Sequence, residues 1–151
     1  MIKVTSFFPE TILWSLLLAA GFPSIGGVSI ELVKHSNGDR EEKKAYLNEV
    51  DVLAFGVNPD KSLLAIVVEE TLRGNPAITK DKLRNKLREL RNFNIPCIGL
   101  LVHGANKREV NVNIHECVIE APLYEVSNIW DIRYLVDYVC QHACSTIDFN
   151  I

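Results

Sequence analysis

No stretch of this 151-residue chain approaches the ~18 uninterrupted apolar residues that a membrane-spanning helix needs, which argues against a helical membrane protein. The longest apolar segment, residues 12–20 (ILWSLLLAA), has the length of a signal-peptide core. Glu10 lies just before it and Lys3 is the single basic residue ahead of it, so a buried helix is expected instead. No glycine-rich phosphate loop follows the first strand, and no G-x-S-x-G elbow is present, which removes the usual dinucleotide and serine-hydrolase readings. The four cysteines, at 97, 117, 140 and 144, show no regular disulfide spacing; a reducing, cytoplasmic setting is expected. Excess positive charge is also lacking: 16 Lys and Arg against 19 Asp and Glu give a formal net charge of −3. Coating of nucleic acid through overall charge is thereby excluded, although a local basic surface is not.

What remains, 48% hydrophobic residues in one chain of this length, fits a single domain over residues 1–151 with a sizeable core. Pro9 and Glu10 open a helix over residues 9–20 that is apolar almost all round and therefore covered on most sides; Gly21 stops it. Strands are predicted at 28–33, 44–55 and 63–70, separated by the turn sequences 36–39 (SNGD) and 58–61 (NPDK), short enough for an antiparallel meander. Thr79 caps a helix to residue 92 whose Leu83, Leu87 and Leu90 form one stripe. The continuous apolar run 97–102 (CIGLLV) suits a parallel interior strand; a fifth strand at 110–119 and a helix from 127 or 128 to 143 follow. The fold class is α/β, a mixed central sheet flanked by helices.

Two of these strands carry acids where a buried strand excludes them. Asp51 interrupts 48–55 (NEVDVLAF), and Glu69 and Glu70 end 63–71 (LLAIVVEET). An unpaired buried carboxylate costs several kcal/mol, roughly 2–7 even for a neutral polar group. Strand alternation puts Glu49 and Asp51 on one face, and Glu69 and Thr71 on one face. If the strands pair, Asp51 and Glu69 converge, and two hard oxygen ligands suit Mg²⁺ or Mn²⁺. Two solvated strand ends are the plain alternative.

This order resembles the core of the restriction-endonuclease-like superfamily, the PD-(D/E)xK nucleases, over residues 7–103. The resemblance is carried by Phe8-Pro9-Glu10 through Gly21-Phe22, by Asn48-Glu49-Val50-Asp51-Val52-Leu53-Ala54, and by Val67-Val68-Glu69-Glu70-Thr71. It implies an αβββαβ core, with an extra strand and C-terminal helix added, and metal-dependent hydrolysis of DNA phosphodiester bonds. Asp51 and Glu69 would be the catalytic metal ligands, Glu10 an auxiliary acid and Glu49 an orienting acid. The family lysine falls at Thr71, which cannot supply a cation but could hold a water. Lys86, beside the leucine stripe at about 100° per residue, is the candidate replacement; Lys82 and Arg73 are further alternatives. Without a cation, the alternative is a degenerate, non-catalytic nuclease-fold module for nucleic-acid binding or protein assembly.

The helix over 80–91 is also the most basic surface. Lys80, Lys82, Arg84 and Arg88 are candidate nucleic-acid contacts, extended by Lys107 and Arg108, against the reading of a solvated helix face. DNA, including branched or single-stranded forms, is the partner implied, and a homodimer is the assembly expected of a nuclease that cuts both strands. His115, Cys117, Cys140 and Cys144 form a zinc-type grouping, against which buried core cysteines are the simpler reading; Cys97 is read as core.

Overall fold

Apolar strand sequences and one amphipathic helix fix the centre of the molecule. The computed structural model describes residues 7–35, 42–58, 61–71, 74–104, 111–113 and 116–122, together with 133, 134 and 137. Helix α1 (Phe7–Ala19) leads into β1 (Ser24–His35), β2 (Glu42–Val57) and β3 (Leu63–Thr71); α2 (Pro76–Asn92) then precedes β4 (Cys97–His103), β5 (Asn111–Asn113) and β6 (Val118–Pro122). The sheet order is β1-β2-β3-β4-β6-β5. β1 to β3 form the antiparallel meander. β3–β4 and β4–β6 are parallel, with β5 antiparallel to β6.

β3 and β4 occupy the middle of the sheet and are buried on both faces. On one face Val52, Ala54, Ile66, Val68, Ile98 and Leu100 meet Leu13 and Leu17 of α1. On the other, Ala65, Val67 and Leu101 meet Leu83, Leu87 and Leu90 of α2. Burial of a leucine side chain contributes about 1.5–3 kcal/mol, so the three-leucine stripe is a main anchor of α2. Gly99 lets the helix approach: a Cβ there would lie 2.9 Å from Leu87 Cδ1 and 3.0 Å from Leu83 Cδ2.

Three expectations are corrected. Asn75, not Thr79, caps α2: its Oδ1 accepts the Ala77 N–H at 3.0 Å, and Pro76 takes a first-turn position where no N–H is needed. The strand expected over 110–119 is two short strands, β5 and β6, with Cys117 between them at a left-handed φ of 53°. Helix α1, apolar all round, is not covered on most sides: Trp14 and Leu18 are 37% and 50% exposed, and the Trp14 indole finds its acceptor at the Ser24 carbonyl, 2.8 Å away. The C-terminal helix expected from 127 to 143 lies outside the described residues except for Arg133, Tyr134 and Asp137, which are helical. Among the described residues no helix is long and apolar enough to cross a membrane.

The leucine stripe gives a direct test. Leu87→Ala is expected to lower stability by about 2–5 kcal/mol, read as a reduced urea midpoint with an unchanged m-value; a loss under ~1 kcal/mol would show that α2 is seated by something else.

Candidate functional site

The site forms where β2 parts from β3. Their register runs from Val57↔Leu63 to Val52↔Val68 and ends there. One residue beyond, the Asp51 side chain replaces the ladder: its Oδ2 accepts the Glu70 N–H at 2.7 Å. β2 continues beside β1 alone, and a bulge interrupts that pair. Val28 faces Val50 but Ile30 faces Leu47, so Asn48 and Glu49 together oppose Ser29. Glu49 takes a left-handed φ of 53°, and its N–H meets Ser29 Oγ at 3.2 Å. A bulge bends its strand and re-aims the groups on it. Here it helps open a cavity of about 600 Å³ between the β1–β2 ribbon, the end of β3 and helix α2, lined in part by Glu49, Asp51, Glu69, Glu70, Lys82 and Lys86.

Among the described residues the most buried acidic group is Glu69, 5% exposed. It shares a sheet face with Ala65 and Val67, the face α2 covers. Lys86, one position before Leu87 on α2, reaches back to it: the ammonium pairs with Glu69 Oε1 and also donates to the Glu49 carbonyl at 3.1 Å. Burial pushes the Glu69 carboxyl up to about 8; the hydrogen bond from Lys86 pulls it down, and the neighbouring Asp51 charge raises it again. Asp51 and Glu69 line the same cavity, and Asp51 is close enough to act on the Glu69 carboxyl. Two crowded carboxylates in a partly dry site favour a shared proton or a shared cation.

Asp51, Glu69 and Lys86 are thus brought together. Glu49 lines the same cavity, but alternation misjudges it: the bulge breaks the strand parity, its carboxylate side chain is exposed, and its backbone carbonyl meets Lys86. Thr71 is buried beside His103 in the β3–β4 register and does not line the cavity. Glu10 belongs to the first turn of α1, with its side chain outside the described residues, as are Arg73, Lys107, Arg108, His115, Cys140 and Cys144.

The basic helix face divides. Lys80 pairs with Glu120 at 3.3 Å, and Arg84 with Asp81 and Glu116. The β5–β6 hairpin carries these glutamates against α2, which counting charges along the helix alone does not reveal. Lys82 is exposed at the cavity; Arg88 is exposed and donates to Asn85 Oδ1 at 3.4 Å. Charge and motif do not single out Asn85, or Glu89 as a site residue, yet residues 82, 85, 86 and 89 of α2 all line the cavity. Their i, i+3, i+4, i+7 spacing is the signal that marks them as one face.

The cysteines are corrected in part. Cys117 is buried but disulfide-bonded, so it offers no thiolate to zinc, and its partner lies outside the described residues. Cys97 is a free core thiol; burial pushes it up to about 11, which keeps it protonated and poorly nucleophilic. Among the described residues no cluster of three or more His, Cys, Asp or Glu side chains is arranged to hold a metal. The Asp51–Glu69 pair nevertheless fits Mg²⁺ or Mn²⁺, since Mg²⁺ is commonly held by one or two carboxylates with water and phosphate completing its shell. No family model, curated protein or solved structure matches the chain significantly.

The raised Glu69 carboxyl has a pH signature. Between its ordinary value of 4.5 and about 8 the native chain holds a proton that the unfolded chain releases. Stability is therefore greatest below that window and falls as pH rises through it. The wild-type melting temperature is expected to drop by roughly 3–10 °C between pH 5 and 8.5, and Glu69→Gln to flatten the profile. Equal slopes in the two proteins would contradict the assignment of the proton to this pair.

Proposed function

We propose that the protein is a nuclease-like enzyme that hydrolyses phosphodiester bonds of DNA with Mg²⁺ or Mn²⁺. The observation that carries this reading is the convergence of Asp51, Glu69 and Lys86 in one cavity at the end of β3. The element order adds support: a helix, an antiparallel three-strand meander, a helix and a parallel strand follow the αβββαβ order of the restriction-endonuclease-like core.

In this reading Asp51 and Glu69 hold the cation. When bound, a divalent cation polarises a phosphoryl oxygen and lowers the pKa of an attacking water. Asp51 is oriented by the Glu70 N–H, which would hold its carboxylate ready for a cation. Lys86 does from the helix what a lysine at position 71 would do from the strand: it supplies positive charge beside the acidic pair. Lys82 and Arg88, exposed on α2, draw the phosphate backbone toward the cavity. A homodimer would bring two such sites to the two strands of a duplex.

A second reading is a non-catalytic nucleic-acid-binding or assembly module on the same scaffold. Thr71 stands where the strand motif has lysine, and the Lys86 ammonium is already engaged by Glu69.

Cleavage of labelled linear, single-stranded and branched DNA with Mn²⁺ separates the two. Wild type is expected to cut in a metal-dependent manner, and Asp51→Asn to lose at least about a hundredfold in rate while unfolding at a similar urea concentration. Full activity in Asp51→Asn would overturn the site, and intact binding without cutting by wild type would favour the second reading.

A further inference from the structure

The Lys86 ammonium has two acceptors of different kinds, and the charged one is the stronger ligand for a competing divalent cation. Glu69 Oε1 is a side-chain carboxylate beside Asp51; the Glu49 carbonyl, 3.1 Å from Nζ, is backbone. The pair is well shielded, with the Lys86 and Glu69 side chains 15% and 6% exposed. A divalent cation shared between Asp51 and Glu69 competes for the same carboxylate that Lys86 occupies. The carbonyl is held where it is by the left-handed turn of Glu49 and the Ser29 contact to its N–H.

We infer that Lys86 is a displaceable internal counter-ion: it occupies Glu69 until a divalent cation takes that carboxylate, and the released ammonium, still tethered at the Glu49 carbonyl, then receives a phosphate oxygen of the substrate. The inference rests on the metal-dependent reading above and adds a coupling to it. Cation and phosphodiester bind cooperatively, because each is favoured by the Lys86 position that the other stabilises, and such coupling is reciprocal. Among the described residues the cavity supplies no equivalent second cation at Glu69. Lys82, the other lysine lining it, is exposed, and it is Lys86 that bonds the buried carboxylate.

The test measures Mn²⁺ binding rather than activity. Free Mn²⁺ is followed by electron paramagnetic resonance during titration of wild type, Lys86→Gln, Lys86→Met and Asp51→Asn, each alone and with a short phosphorothioate oligonucleotide whose own Mn²⁺ uptake is subtracted. Titrations are run over a pH series and compared at the alkaline plateau where the proton no longer competes for Glu69; there, removal of the competing ammonium in Lys86→Gln and Lys86→Met is expected to tighten Mn²⁺ binding about tenfold. The oligonucleotide is expected to tighten Mn²⁺ binding to wild type by roughly five- to tenfold, at the low end of such couplings, and to leave the two Lys86 variants unchanged. Either variant suffices, provided circular dichroism shows it folded. Equal or weaker Mn²⁺ binding in a folded Lys86 variant, or an undiminished oligonucleotide effect, overturns the counter-ion role while leaving the metal site standing. Mn²⁺ binding by wild type that persists in Asp51→Asn moves the metal elsewhere, and no Mn²⁺ binding by any form overturns both readings.

Discussion

A carboxylate at the covered end of a central strand needs a counter-charge, and much of the cavity's arrangement follows from how Glu69 finds one. The side chain points to the sheet face that α2 covers, where water is scarce. Left alone there, the group would be neutral. With Asp51 next to it, the two acids make a site that a proton, an ammonium or a metal ion can each stabilise. The chain offers Lys86 from the helix opposite. The same features that make Glu69 uncomfortable in the folded protein make it suitable for gripping a cation.

That arrangement depends on backbone geometry at some remove. Gly99 lets α2 sit close on the sheet through Leu83 and Leu87, which fixes the height of Lys86 above β3. The departure of β2 from β3 at Asp51 frees the Glu70 N–H that orients the Asp51 carboxylate. The Glu49 bulge costs about 1–3 kcal/mol of local strain; it places a carbonyl within reach of the ammonium. On the far side of α2, the ion pairs to Glu116 and Glu120 tie the helix to the β5–β6 hairpin, so Lys80 and Arg84 steady the helix.

Asp51, Glu69 and Lys86 were legible because each breaks a local rule. The first two are acids in apolar strands, and the third is a cation at the border of a leucine stripe. The parallel placement of β4 was legible for the opposite reason, a strand so uniformly apolar that only the sheet interior accepts it. What was not legible depends on pairing between segments distant in sequence. Strand alternation cannot anticipate a bulge, so the part played by Glu49 moved from its carboxylate to its carbonyl. The composition of α2 shows its charges but not the glutamates that the β5–β6 hairpin brings to them. Asn75-Pro76 reads as a chain break, although a side-chain acceptor followed by proline is also how a helix begins.

The central claim is that the two strand-end carboxylates, not the basic helix face, are the functional centre, and that they share one cation. Crystals grown with Mn²⁺ and measured at a wavelength where manganese scatters anomalously test this most directly. An anomalous peak is expected between Asp51 and Glu69, with the Lys86 ammonium withdrawn from Glu69 and still at the Glu49 carbonyl. A peak elsewhere in the molecule, or a Lys86–Glu69 pair unchanged in crystals saturated with Mn²⁺, would contradict it.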